Sequence, residues 1–362
     1  MEQLRIPGPT PCPKEVLKTM SRQMINHRGP QFAQMLTDVT AKLKQLFQTK
    51  ADVFLLTGSG TGGLEAAIVN TLSPGDKVLS VAIGVFGERF ATIAERFGAE
   101  VTPLRFEWGR AAEVDAIRQA LKAEPKIKAV LVTHNETSTG VTNDLEAISS
   151  VVKQFDKLLL VDAISSLSSI NLPVDNWHCD VVVTGSQKGW MVPPGLAMVS
   201  VSQEAWQAHQ NAKMPCFYWD FTLAKNYLEK GQTPWTPVVS VFFALSVALD
   251  MMLKEGLNNI FARHGRVAQA ARDGVKSLGL SLFAEEKHAS NTVTAVAAPD
   301  GLDTKKMLKI LREEHQVVLS GGQQRLDGKI FRIGHLGWVN EDDIKQVISA
   351  LKVALPQAGF RS

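Results

Sequence analysis

Residues 184–190 read TGSQKGW, with a lysine placed after the β-branched run CDVVVTG and before Gly189, Trp190, Pro193 and Pro194. An ammonium in such company is costly unless it has a partner or a chemical task. Desolvation lowers a lysine's pKa and makes it a competent amine nucleophile. A solvated lysine at a strand end is the plainer reading of Lys188, but the rigid apolar neighbours speak against it. Earlier in the chain, Asp162 ends the apolar run KLLLVDA. Judged alone, that carboxylate reads as a cap for the next segment. A third group, GSGTGG (58–63), opens TGGLEAAIVNTL. Small residues let backbone approach a ligand, and the start of a helix suits a phosphate. Gly58, Gly60 and Gly63 satisfy GxGxxG, yet SVAIG lacks the acidic residue of a dinucleotide site, and Leu64 stands where a Walker motif has lysine. A bare tight turn and a phosphate site fit this motif equally.

The elements that must position these residues alternate between strand and helix from about residue 50 to 200, the pattern of a mostly parallel α/β sheet. Strands are expected at 52–57, 77–83, 127–134, 157–163, 180–185 and 196–201, and a helix at 84–98, where Phe86, Phe90, Ile93, Ala94 and Phe97 recur at helical spacing. Past about 250 a long helical region, a strand at 292–298, a helix near 303–314, a strand at 329–334 and a last helix from about 341 suggest an α+β unit. The expected division is an N-terminal arm (1–14), a large domain (15–250) and a small C-terminal domain (251–362). In such sheets ligands bind beyond the carboxyl ends of the strands. The residues there are Gly58 to Thr61, Asn135-Glu136-Thr137, Asp162 and Gln187-Lys188. A phosphate cradle, a buried aspartate and a desolvated lysine together suit pyridoxal 5′-phosphate (PLP): its aldehyde needs an amine, its ring nitrogen an anion, its phosphate a helix start.

Composition removes several classes. Thirty-nine basic and thirty-six acidic residues are mixed along the 362-residue chain, with no block to track nucleic acid or an anionic membrane. The longest apolar stretch, 238–249, is too short to span a bilayer and reads as a buried helix. Cys12, Cys179 and Cys216 are far apart, which suits a reducing compartment and offers no disulfide or zinc framework. Eight histidines form no HExxH or HxH pair, so no metal is expected. The N-terminus lacks a signal-peptide pattern and AGFRS is not a peroxisomal tripeptide, so a cytoplasmic protein is expected.

VDAISSL (161–167), TGSQKGWMVPPG (184–195), THNETSTGV (133–141), IPGPTPCP (6–13) and KIFRIGHLG (329–337) resemble the class V aminotransferases. The likeness is to the serine/alanine–glyoxylate group, and in particular its cyanobacterial branch, which includes proteins labelled soluble hydrogenase small subunit. It covers essentially the whole chain. It implies the PLP-dependent transferase fold (aspartate-aminotransferase-like, fold type I), with Lys188 joined to the cofactor as a Schiff base and Asp162 paired with its ring nitrogen. Ser59, Gly60, Thr61 and Gln187 would hold the phosphate, Phe86 would stack on the ring, Ile164 would pack on the other face, and Thr137 would sit near the ring hydroxyl. The family's second subunit completes the phosphate site, which makes a homodimer expected. QTPWTP (232–237) resembles that segment, with Thr233 the choice over Gln232 and Thr236.

Arg332 would anchor the substrate carboxylate through two parallel hydrogen bonds. From alternation alone it reads as a surface arginine opposite Phe331 and Ile333. His27 and Arg28 in NHRGP fall where relatives bring N-terminal residues near the substrate. The implied reaction moves an amino group from alanine or serine to a 2-oxo acid such as glyoxylate in a ping-pong cycle. A desulfurase would need a mobile cysteine, which VVLSGGQQRLDGKIFRIG lacks. A phosphonate or phosphoserine aminotransferase, and a non-catalytic subunit of a redox complex, stay open as alternatives.

Overall fold

The computed structural model describes residues 2–360. Seven strands form the main sheet: β1 (Asp52–Thr57), β2 (Lys77–Ala82), β3 (Glu100–Arg105), β4 (Ile127–Thr133), β5 (Leu158–Asp162), β6 (Val181–Gly185) and β7 (Leu196–Val201). Their order is β1-β7-β6-β5-β4-β2-β3, and only β7 runs antiparallel to its neighbours. The central strands are nearly unbroken apolar runs because both faces of the sheet are covered. One face gathers Leu79, Val130, Leu159, Val161 and Val182 with residues of helix α1 (Pro30–Phe47) in one apolar cluster. The other gathers Ala129, Leu131, Leu160 and Val183 with residues of α2 (Gly60–Thr71) in a second. Helix α3 (Val85–Arg96) follows β2.

Six of the seven strands match the expected runs to within one or two residues. The seventh, β3, was not anticipated. Its sequence EVTPLR is half exposed and contains Pro103, which cannot donate to a ladder; both features are tolerated at the sheet edge where β3 lies.

The apolar stretch at 238–249 lies within α4 (Val239–Glu255), a helix of the core beneath the main sheet. This helix ends at Gly256, whose φ of +81° favours a residue without a side chain, before α5 (Leu257–Ser277). Strands β8 (Val293–Ala297), β9 (Ser320–Gly321) and β10 (Ile330–Gly334) form a second sheet with β10 in the middle. That sheet packs with α5, α6 (Thr304–His315) and α7 (Glu341–Gln357) around a separate apolar cluster.

The N-terminal arm ties the two parts together. Gln3 and Leu4 pair in parallel with Val317 and Val318, Gly334 donates to Arg5 O at 2.7 Å, and Thr10 donates to Gln187 O at 3.1 Å. Among the described residues, no helix is long and apolar enough to cross a membrane.

Candidate active site

A cavity of about 140 Å³ opens at the carboxyl ends of the parallel strands. Ten of the residues singled out in the sequence line it: Ser59, Gly60 and Thr61 from the start of α2, Phe86 from α3, Asp162 from the end of β5, and Asn135, Thr137, Ile164, Gln187 and Lys188 from the segments that follow β4, β5 and β6. Residues separated by more than a hundred positions meet here because each stands where its strand ends.

Lys188 reaches the cavity from the turn after β6. Its Nζ donates to Pro7 O at 2.6 Å, and burial draws its pKa down to about 8, with Asp162 opposing and Arg332 and Arg89 adding to the fall. A sizeable fraction of such amines is neutral near pH 8, as a nucleophile or base requires. Asp162 is 3% exposed and accepts from Ile164 N at 2.9 Å. Burial raises its pKa to about 7, against that hydrogen bond. Among the described residues it makes no ion pair closer than 4 Å. A buried carboxylate that Lys188 and Arg89 influence without forming an ion pair fits a ligand that brings its own positive charge, such as a protonated ring nitrogen.

At the start of α2, Ser59 places no side-chain cap on the helix, which leaves its first N–H groups to a ligand. The glycines of GSGTGG have a second role that their spacing did not reveal. A Cβ on Gly58 or Gly62 would meet the Trp219 ring at 2.8 or 2.7 Å, one on Gly60 would meet the Ile164 methyl at 2.5 Å, and one on Gly63 would meet Val183 at 2.6 Å. The small residues are required by helix–sheet and ring packing.

Arg332 corrects the surface reading of its strand. All five residues of β10 are buried, and Arg332 is only 5% exposed. Its Nε donates to Gly321 O at 3.0 Å and one terminal nitrogen to Thr137 O at 2.9 Å. Burial lowers its pKa to about 10, opposed by Glu136. Two carbonyls fix the guanidinium, and no carboxylate of the described residues pairs with it within 4 Å. Arg332 does not itself line the cavity and reaches its edge through Thr137, which does.

Thr233, Gln232 and Thr236 do not line this cavity. Arg28 holds the same segment from the side, donating to Gln232 Oε1 and Thr233 O at 2.8 Å and to Pro234 O at 3.1 Å. His27, the neighbour of Arg28, is likewise absent from the cavity wall. Arg28 and the 232–234 segment are thus joined to each other, and neither they nor His27 line the cavity that holds Lys188.

Three contributors escaped the sequence reading. Arg89 lines the cavity and lies 4.8 Å from the centre of the Phe86 ring; its place one helical turn after Phe86 was the available signal. Gly8 sits so close to Lys188 that a Cβ would be 2.4 Å from Nζ. Glu136, quoted only as part of a loop, is wholly buried.

A model of the family Aminotransferase class-V matches residues 4–331. The chain belongs to the class V aminotransferases. Its relatives include the soluble hydrogenase 42 kDa subunit of Anabaena cylindrica, 46% identical over 99% of this chain and 94% of that protein. The serine–glyoxylate aminotransferase of Methylorubrum extorquens is 36% identical, covering 99% of this chain and 92% of its own. Among solved structures, the alanine–glyoxylate aminotransferase of a Nostoc species superposes with a TM-score of 0.95 at 31% identity, over 98% of this chain and 95% of that one. The α/β architecture is that of the PLP-dependent class V aminotransferases. Class V aminotransferases depend on pyridoxal phosphate; the uncapped α2 start, the unpaired Asp162 and the desolvated Lys188 fit that cofactor.

Proposed function

We propose that this class V aminotransferase moves an amino group from alanine or serine to a 2-oxo acid such as glyoxylate. The observation that carries the reading is the meeting of Lys188, Asp162 and the Arg332 support Thr137 around one cavity. The likeness to a serine–glyoxylate and an alanine–glyoxylate aminotransferase supports the donor and acceptor. When bound, PLP supplies an electron sink that takes up the charge left as the donor loses its α-proton.

The chain's own residues perform the rest. Arg332, held by Gly321 O and Thr137 O, receives the donor carboxylate and fixes its orientation. Lys188 would hold the cofactor covalently, and its amine, once free of that link, would take the donor's α-proton. Its lowered pKa keeps part of the population neutral for that step. Asp162, as a carboxylate, would partner the ring nitrogen and keep it protonated. Ser59, Gly60, Thr61 and Gln187 would hold the phosphate, and Phe86 and Ile164 would pack against the ring. In a homodimer, Thr233 with Gln232 or Thr236 reaches the other subunit's phosphate, and His27 and Arg28 travel with that segment.

A purely structural redox subunit would leave the trio of Lys188, Asp162 and Arg332 without a task, so catalysis is the better reading. The test is a panel of donors, alanine and serine among them, mixed with the cofactor-loaded protein and followed by the loss of visible absorbance. Glyoxylate, pyruvate and a phosphorylated oxo acid are then tried as acceptors. Bleaching by alanine or serine with recovery on glyoxylate is expected, and absence of any half-reaction refutes the proposal. Lys188→Ala should lose both the visible band and turnover; a fully active Lys188→Ala enzyme would remove the lysine from the mechanism.

A further inference from the structure

Glu136 has a place in the site that the proposed reaction does not use. It belongs to a two-residue strand, Asn135–Glu136, paired with Val141–Thr142, and its side chain is fully buried. One carboxylate oxygen accepts from Phe86 N at 2.9 Å and Gly87 N at 3.1 Å. The other accepts from Ser138 N at 3.1 Å and Ser138 Oγ at 2.6 Å. Ser138 Oγ in turn accepts from Val85 N at 3.0 Å. The opening N–H groups of α3, for which Gly84 supplies no side chain, are therefore satisfied by a glutamate fifty residues away along the chain.

The four neighbours of this carboxylate are donors, the surroundings an anion requires. Burial nonetheless pushes its pKa up, with Ser138, Gly87 and Phe86 opposing. The charged groups that feel it are Asp162 at the end of β5 and Arg332 on β10. The helix dipole of α3 adds to the anion's stability. A Cβ on Gly84 would lie 2.5 Å from the Glu136 side chain, so the backbone ahead of α3 is packed directly onto it.

The next residue, Thr137, accepts from Arg332. Two consecutive residues thus fasten the two ends of the pocket: Glu136 the start of α3 with Phe86, and Thr137 the guanidinium. We propose that Glu136 is a positioning residue that holds the ring-facing start of α3 and the Arg332 anchor in one fixed relation. This rests on the reading of Phe86 and Arg332 given above. Glu136 touches neither cofactor nor substrate and acts through those two side chains.

The isosteric Glu136→Gln variant places an amide N–H2 against N–H donors, so one end of the network must open. The experiment measures the dissociation constant of PLP from the cofactor-free protein, and the visible circular dichroism and steady-state kinetics of the loaded enzyme. Parent, Glu136→Gln, Phe86→Ala and the double variant are compared. Glu136→Gln is expected to weaken cofactor binding about tenfold, to shrink the dichroic band and to raise KM for the amino donor. Once Phe86 is already absent, the same change should weaken cofactor binding by less than about threefold, because its effect runs through that ring.

Unchanged cofactor binding, losses that multiply in the double variant, or an unchanged donor KM would each overturn the inference. If Glu136→Gln does not fold, Ser138→Ala opens the same network more gently, with an expected loss of about threefold and the same comparison with Phe86→Ala. A parent protein that takes up no cofactor would sink the proposed function and this inference together, whereas a loaded parent with multiplying losses sinks the inference alone.

Discussion

Replacing Asp162 by asparagine should stabilise the cofactor-free protein while disabling the enzyme. Burial raises the Asp162 pKa from 3.8 to about 7. At about 1.4 kcal/mol per pH unit, an ionised carboxylate there costs the empty fold about 4 kcal/mol above pH 7. Below about pH 4 the group is protonated in both folded and unfolded chains and the cost is absent; it grows as pH rises from about 4 to about 7. Asparagine keeps an oxygen for Ile164 N and carries no charge, though burying its amide returns part of the gain.

The net expectation is about 2 kcal/mol at pH 8, seen as a rise of roughly 3 °C in the unfolding midpoint, and a net loss of up to about 2 kcal/mol at pH 4, where the charge cost is gone and the cost of burying the amide remains. With PLP bound the order should reverse, because the parent carboxylate then has the cation it lacks and the amide cannot supply a negative charge. Thermal unfolding of both proteins, empty and loaded, at pH 4 and pH 8 decides the matter. An empty variant no more stable than the parent at pH 8, or a gain that persists undiminished at pH 4, would refute the account of Asp162 as an anion held in reserve for the cofactor.

Arg332→Lys keeps the charge but loses the planar fork held by Gly321 O and Thr137 O. KM for the amino donor should rise by about tenfold or more in steady-state assays, with a smaller change in kcat. Gly8→Ala adds a Cβ 2.4 Å from Lys188 Nζ at a position with φ of +134°, so it combines backbone strain with displacement of the amine. Spectrophotometric titration of the empty variant with PLP should show covalent uptake weakened by about tenfold or more, whereas parent-like uptake would place the arm away from the reacting nitrogen in solution.

Much of this architecture could be read from the chain before any coordinates. DVFLLT, KLLLVDA and LAMVSV are strands because uninterrupted branched residues bury both faces, a local property that needs no knowledge of partners. Lys188, Asp162 and Gly60 were recoverable because a parallel sheet brings the residues at its strand ends to one edge, whatever their separation in sequence. The strand EVTPLR was hidden by its proline and its exposure.

The burial of Arg332 was hidden for a different reason. Alternation assigns one side of β10 to solvent, but the side bearing Arg332 is covered by Thr137 from the other sheet's loops. The closeness of Pro7 and Gly8 to Lys188, and of Glu136 to the first turn of α3, depends on contacts between distant segments with no periodic signature. Among the GSGTGG glycines, spacing suggested a ligand, while the nearest atoms belong to Trp219, Ile164 and Val183.

The docking of the N-terminal arm also bears on how the protein is made. Gln3, Leu4 and Arg5 find their places beside Val317, Val318, Gly334 and Asp343, which follow them in the chain after the whole of the main sheet. The wall that Pro7 and Gly8 provide for the Lys188 amine is therefore completed only once residues 317–343 have been made, after the strand ends around it can have assembled. A nascent chain stalled before residue 317 could build the main sheet and still lack that wall.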